Sequence, residues 1–369
     1  MIWQKQKLGD LCEIYQPITI ATKNLVPDGA YNVYGANGII GKYNSYNHEN
    51  SELLLTCRGN TCGALNVSTP KSWINGNAMV IRPKSNSLDI KFLKYILEGY
   101  IDISNIITGS AQPQITRQSL APTKIPVPPL SEQQAIVDKL DTAFELIDRA
   151  KANIEQNIQN AKELFQCKLN QVFSQKGEGW EEKKLGEIGK VSMCKRIMKD
   201  QTLPEGDIPF YKIGTFGKSP NAFISKEIFN EYSTKYSYPK KGEILLSASG
   251  TIGRCVVFDG EPSFFQDSNI VWISNNEELV LNQFLFQFYK VCDWNPSKGA
   301  TISRLYNDDL RRIIINFPTS LEMQKKIVGQ IELLSEQTNL LQQKYQQKLD
   351  NLEELKKSIL EKAFNGGLV

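Results

Sequence analysis

Two globular domains of α/β (α+β) class, duplicated one from the other, are predicted to be joined by two long antiparallel helices forming a coiled coil, with pseudo-twofold symmetry. Three observations lead there. Landmark strings occur twice in the same order, each copy ends in a long heptad-patterned stretch, and the intervening segments mix short strands with helices.

The duplication sets the architecture. WQKQKLGDLCEI, beginning at Trp3, returns as WEEKKLGEIGKV, beginning at Trp180, with the Trp and the Lys-Leu-Gly core in register. SELLLTCRG, ending at Gly59, matches GEILLSASG, ending at Gly250. GSAQPQITRQSL from Gly109 aligns with GATISRLYNDDL from Gly299, and the Pro-rich strings around Pro126 and Pro318 follow in both. The offset drifts from about 177 to about 191 residues, which places a longer insert near the start of the second copy. A period this long excludes solenoid repeats.

Each copy closes on a helix. From Ser131 the residues Ile136, Leu140, Ala143, Ile147, Ala150, Ile154, Ala161 and Leu164 recur at alternating steps of four and three, broken only by Asn157. Shifted by 191, the seam reads Ile327, Ile331, Leu334, Thr338, Leu341, Tyr345, Leu352 and Leu355, with Lys348 in place of Asn157. Prolines precede both starts, as helix N-termini favour. One apolar stripe needs a partner, so the two helices are expected to pack on each other as a spacer on the order of 65 Å long. The alternative is two amphipathic helices, each packed on its own domain. Four segments follow: domains at 1–130 and 176–320, spacer helices at 131–175 and 321–369.

Within the domains, short apolar runs bounded by Gly, Pro or Asn predict strands at Leu53–Thr56, Met79–Arg82, Ile244–Ser247, Cys255–Phe258 and Ile270–Ile273. Helices are expected at Ile90–Leu97 and Leu281–Val291.

Composition narrows the class. No apolar run reaches the length of a membrane span, and the N-terminus lacks a signal pattern, so the chain reads as soluble and cytoplasmic, without a membrane partner. Seven scattered cysteines read as reduced thiols, and no metal site is expected. A formal charge of +3 argues only weakly for nucleic acid, so any such surface must be a local patch.

Catalytic motifs are missing. His48, the only histidine, lies in the polar stretch KYNSYNHEN without a nucleophile motif. Gly217-Lys218-Ser219 imitates a phosphate loop, but Lys212 stands where its first glycine belongs. Neither a dinucleotide fingerprint nor the aromatic signature of amino-methyltransferases occurs, since Asn295-Pro296-Ser297-Lys298 departs from it, and Pro27-Asp28 lacks its nuclease partners. No catalytic residue and no cofactor of the chain's own are expected.

What remains are loops rich in amides and single cations, which suit reading of base edges. YGANGIIGKYN supplies Tyr34, Asn37 and Lys42, though it also reads as an ordinary glycine-rich hairpin. GSAQPQITR supplies Gln112, Gln114 and Arg117, with a helix-capping loop as the bland alternative. Arg58 and Arg254 adjoin the matched glycine turns. Lys195, Arg196, Lys199, Lys212, Lys298 and Arg304 are the candidate cations of the second copy, each equally readable as a solvated surface charge.

At these motifs the chain resembles the specificity subunits of Type I restriction-modification systems. GWEEKKLGEI opening a domain, GSAQPQITRQSL and IPVPPLSEQQAIV closing it, and a long helix following, all twice, carry the resemblance across nearly the whole chain. The second copy departs from it, lacking the paired Gln residues and reading Leu-Glu-Met-Gln for Ser-Glu-Gln-Gln. The resemblance implies a non-catalytic subunit in which each domain is a target recognition domain reading one half of a bipartite, asymmetric site in double-stranded DNA. It further implies that the helices set the half-site spacing and dock two modification (methyltransferase) subunits. Restriction (motor-nuclease) subunits are a further partner it admits; S-adenosylmethionine, ATP and Mg would sit on those partners. A coiled-coil adaptor that binds protein through its globular ends is the rival reading.

Overall fold

The computed structural model describes residues 3–109, 112–294, 297–298 and 303–364, with 297, 298 and 303 described by their backbone alone. It divides into two compact units, Met1–Glu155 with Gln346–Val369, and Gln156–Tyr345.

In the first unit, a four-stranded antiparallel sheet runs in the order Cys12–Tyr15, Ala78–Pro83, Leu53–Thr56, Leu65–Val67. A second sheet places Tyr31–Gly35 between Gly38–Tyr43, antiparallel, and Trp73–Ile74, parallel. The central strand of the larger sheet is covered on both faces. Leu53 and Leu55 join a helical core with Phe92, Leu93, Ile96, Ile136 and Leu140, while Leu54 and Val80 meet Tyr34 and Ile74 of the smaller sheet. A strand buried on both faces loses its polar alternation, which is why LLLT reads as an unbroken apolar run.

The second unit repeats this plan. Its larger sheet is Lys190–Ser192, Ile270–Ser274, Ile244–Ser247, Cys255–Val257, and its smaller one places Ile208–Tyr211 between Phe223–Ile224 and Phe264–Phe265. Leu246 faces Phe284, Leu285 and Phe317, and Leu245 with Trp272 faces Phe210 and Phe264. The insert responsible for the drifting offset contains a helix, Lys226–Lys235, with no counterpart in the first unit. Ser225 caps it, and its Ile228, Phe229 and Tyr232 pack against the aromatic core.

The repeated Lys-Leu-Gly core has a packing reason. Strand Lys5–Lys7 pairs with Lys124–Pro126, and Trp180–Lys184 with Ile314–Pro318, so the opening string of each copy pairs with its closing string. Leu8 and Leu185 then plug the cores, both fully buried. A Cβ on Gly9 would stand 2.9 Å from that of Ala121, and one on Gly186 3.1 Å from that of Arg311, so neither copy has room for a larger residue.

The two long helices, Leu130–Phe173 and Leu321–Phe364, each belong to both units. In the first unit Ile136, Leu140 and Ile147 of one share a core with Leu360 and Phe364 of the other, and Lys151 pairs with Glu353. The second unit joins Leu169 and Phe173 to Val328 and Ile331. The start of one helix thus meets the end of the other in each unit, which makes the pair antiparallel, and each helix also packs on its unit's globular core.

The strict heptad seam needs correcting. Leu164, Leu341 and Leu355 are exposed, at 67%, 40% and 46%, and do not belong to it. Beyond Ile154 the inward positions include Ile158, Ala161, Phe165, Leu169 and Phe173, and beyond Tyr345 they include Leu349, Leu352, Lys356, Leu360 and Phe364. Both helices make the same change 191 residues apart, stepping four at the position of Asn157 and Lys348, which stay exposed. An α-helix drifts about 20° per heptad from a 3.5 repeat, and a helix end that packs on a globular core follows that drift rather than a supercoil.

Candidate nucleic-acid interface

In the first unit, one end of the larger sheet gathers three loops. The Ala36–Asn37 turn joins strands Tyr31–Gly35 and Gly38–Tyr43, and the Thr56 hydroxyl donates to the Ala36 carbonyl, holding that turn beside the end of Leu53–Thr56. The chain then turns through Arg58 and Gly59 and bridges to the Gln112–Gln114 loop: Ile115 N–H donates to the Cys57 carbonyl at 3.0 Å, and Arg58 stands opposite Gln114. Asn37, Arg58, Gln112 and Gln114 are all exposed. Arg117, also exposed, opens a short helix capped by Thr116.

Two candidates fall outside this cluster. Tyr34 is buried and its hydroxyl accepts the Thr69 N–H at 3.0 Å, so it is a core residue and not a reading group. The bulge at Val33/Tyr34 turns it inward. Lys42 is exposed but lies at the far end of its strand, opposite Asn32, roughly 15 Å from the turn at about 3.4 Å per residue.

A segment that sequence reasoning passed over crosses the same end. Thr19 Oγ1 accepts the Gly76 N–H at 3.0 Å, Asn75 Oδ1 accepts the Ile20 N–H at 3.0 Å, and Ile18 stands 81% exposed beside them. Its sequence signal is the pair of apolar residues Ile18 and Ile20 amid loop residues.

In the second unit, Arg196, Lys199, Lys212 and Arg304 line one pocket of about 530 Å³, with Gln266 and Asn269 among its polar walls. Asp267 pairs with Arg196 at 2.9 Å and offsets part of that charge. Lys195 is exposed next to the pocket, its Nζ 4.7 Å from the ring centroid of Tyr236 at the end of the inserted helix. Four cations around one concavity suit a polyanion. Gln266 and Asn269 were missed, although the polar turn at the equivalent point of the first copy, Asn75–Asn77, marks the place.

Arg254 lies apart from these cations: it is half-buried, its guanidinium donates to the Phe216 carbonyl at 2.9 Å, and it is not part of that pocket's lining. The side chain of Lys298 lies outside the described residues.

The titratable groups away from these surfaces are structural. His48 is buried: its Nδ1–H donates to Asn47 Oδ1 at 2.6 Å and its Nε2 accepts from the Tyr15 hydroxyl at 2.9 Å. Burial, and then the Arg82 charge, push its pKa down to about 4. All seven cysteines are free thiols. Burial pushes Cys12, Cys194, Cys255 and Cys292 up to about 12. Among the described residues no group of His, Cys, Asp and Glu is placed to hold a metal, and no helix is long and apolar enough to cross a membrane.

Fold and site together define a class: a duplicated α+β protein with paired long helices that exposes amides and guanidiniums at the loop end of each sheet. The chain belongs to the Type I restriction modification DNA specificity domain family, whose model matches residues 2–160 and 177–351. It is 43% identical over 314 residues to a type I restriction enzyme specificity subunit of Haemophilus influenzae, covering 83% of this chain and 80% of that one. It is 24% identical to the EcoBI specificity subunit of Escherichia coli, over 80% and 69% of the two chains. Among solved structures, a chain from a study of type I R-M system assembly and conformational transition superposes with a TM-score of 0.74 at 20% identity, covering 99% and 98%. The HsdS subunit of Thermoanaerobacter tengcongensis gives 0.60 at 19%, covering 99% and 97%. At these identities the structures establish the fold.

Proposed function

We propose that this specificity subunit reads a bipartite, asymmetric target in double-stranded DNA, one half-site per unit, through the loop end of each sheet. One observation carries the reading: the larger and the smaller sheet have the same strand order in both units, while the exposed side chains at the loop ends differ. A shared frame with unlike reading groups is what two unlike half-sites require. The antiparallel helices set the separation of the half-sites and dock two modification subunits, with restriction subunits joining the same complex. The chain performs no chemistry itself. S-adenosylmethionine, ATP and Mg sit on the partner subunits, and the assembly works in the cytoplasm.

The test is to bind the chain, with its modification subunits, to a pool of random duplexes and sequence what is retained. Enrichment of two unlike blocks at a fixed separation is expected. Saturable binding without enrichment would overturn the reading in favour of a protein-binding adaptor.

A further inference from the structure

The two units build the same backbone bridge with the cation on opposite sides of it. In the first, the Ile115 N–H donates to the Cys57 carbonyl at 3.0 Å and Arg58 faces Gln114. In the second, the Leu305 N–H donates to the Ala248 carbonyl at 2.9 Å and Ser249 faces Arg304. Cys57 corresponds to Ala248 and Ile115 to Leu305, so Arg58 corresponds to Ser249 and Gln114 to Arg304. The frame is held constant and the side-chain pair is exchanged.

We propose that this bridge is a base-reading position in both units, with Gln114 selecting an adenine in one half-site and Arg304 a guanine in the other. The proposal rests on the function proposed above and narrows it to two residues and two bases.

The geometry favours base edges over backbone. Gln114 has its N–H and C=O both engaged by Thr108, at 2.9 and 2.8 Å, so its backbone is fixed while its amide is exposed. A neutral amide cancels no phosphate charge. Its adjacent donor and acceptor match the N7 acceptor and N6 donor of adenine. Arg58, across the bridge, supplies the positive charge that draws the duplex in.

In the second unit the Ser249 hydroxyl donates to Asn269 Oδ1 at 2.8 Å, which leaves Arg304 as the reaching member of the pair. Its Nη2 donates to the Ser268 carbonyl at 2.9 Å, and its guanidinium carbon lies 5.9 Å from the Tyr306 ring centroid. That anchor takes one of the guanidinium's five N–H groups. A guanidinium already held in place loses less rotamer freedom on binding, and its fork matches guanine O6 and N7.

The experiment expresses the full complex, this chain with its modification subunits, in a host without adenine methylation and maps methylated sites by sequencing. Gln114→Ala is expected to relax one A·T pair of one half-site by roughly five- to 150-fold, leaving the other half intact. Arg304→Ala should relax one G·C pair of the other half by a similar factor. Gln114→Glu and Arg304→Gln, which keep the backbone bridge, should move the preference toward cytosine and adenine at those same pairs. Uniform weakening across all sites, with a shallower salt dependence, would mark the two as phosphate contacts and overturn the proposal while leaving the two-half-site reading in place. Relaxation of both variants in one half-site would overturn it as well. A wild-type complex with no bipartite preference would instead overturn the broader function.

Discussion

The side-chain carbonyl of Gln133 accepts the backbone N–H of Asp89 at 2.8 Å, tying the first turns of the long helix to the residue that caps helix Ile90–Gly99. Its amide donates to the carbonyls of Ser87 and Pro128 at 2.9 and 2.8 Å. The second unit repeats the bonds through Gln324, which accepts from Leu281 N–H and donates to the carbonyls of Leu279 and Pro318. Both glutamines are fully buried.

Gln133→Ala therefore leaves three backbone groups without their partner, the Pro128 carbonyl buried and the Ser87 carbonyl and Asp89 N–H part-buried, and a loss of about 1–3 kcal/mol is expected in the first unit. Hydrogen exchange is the measure, because it resolves units: amides of Ile90–Gly99 should exchange faster while those of Asn282–Tyr289 do not. Gln324→Ala should reverse that pattern.

Gly99 sits at the end of its helix with Leu360 of the C-terminal helix pressed against it. An added Cβ would stand 2.4 Å from that of Leu360. Gly99→Ala should force the two helices apart and cost about 1–3 kcal/mol, read as a lowered denaturation midpoint. Gly329, which has open space around it, should tolerate Ala and gain up to about 1 kcal/mol in helix propensity.

His48 predicts an acid weakness. Its folded pKa, about 4, lies below the ordinary value of 6.5, so the unfolded chain binds the proton more readily. Its contribution is intact above pH 6.5 and is lost as pH falls through that window toward 4. We expect a loss on the order of 1–2 kcal/mol, and a smaller loss in His48→Gln, measured by denaturation at pH 7, 5.5 and 4.5.

The chain passes between units at Glu155/Gln156 in one long helix and at Tyr345/Gln346 in the other, within one residue of equivalent points of the repeat. One heptad inserted at both points should lengthen the required gap between half-sites and leave their sequences unchanged, since each unit keeps its own contacts. Methylation mapping checks it; altered half-site identity would refute this division of labour.

The sequence alone determined what depends on local pattern. The duplication, the doubly covered strands at Leu53–Thr56 and Ile244–Ser247, and the two long helices were all legible, because burial and periodicity leave a trace in consecutive residues. Short strands such as Trp73–Ile74 and Phe264–Phe265 were not, being two residues long and defined by their partners. Tertiary closure decided the rest. It turned Tyr34 inward, set Arg254 on the Phe216 carbonyl, moved the helix seam off Leu164 and Leu355, and placed Gln114 across from Arg58. Those outcomes join residues far apart in the chain, and their energies depend on which groups the fold brings within a few ångströms, something no local spacing encodes.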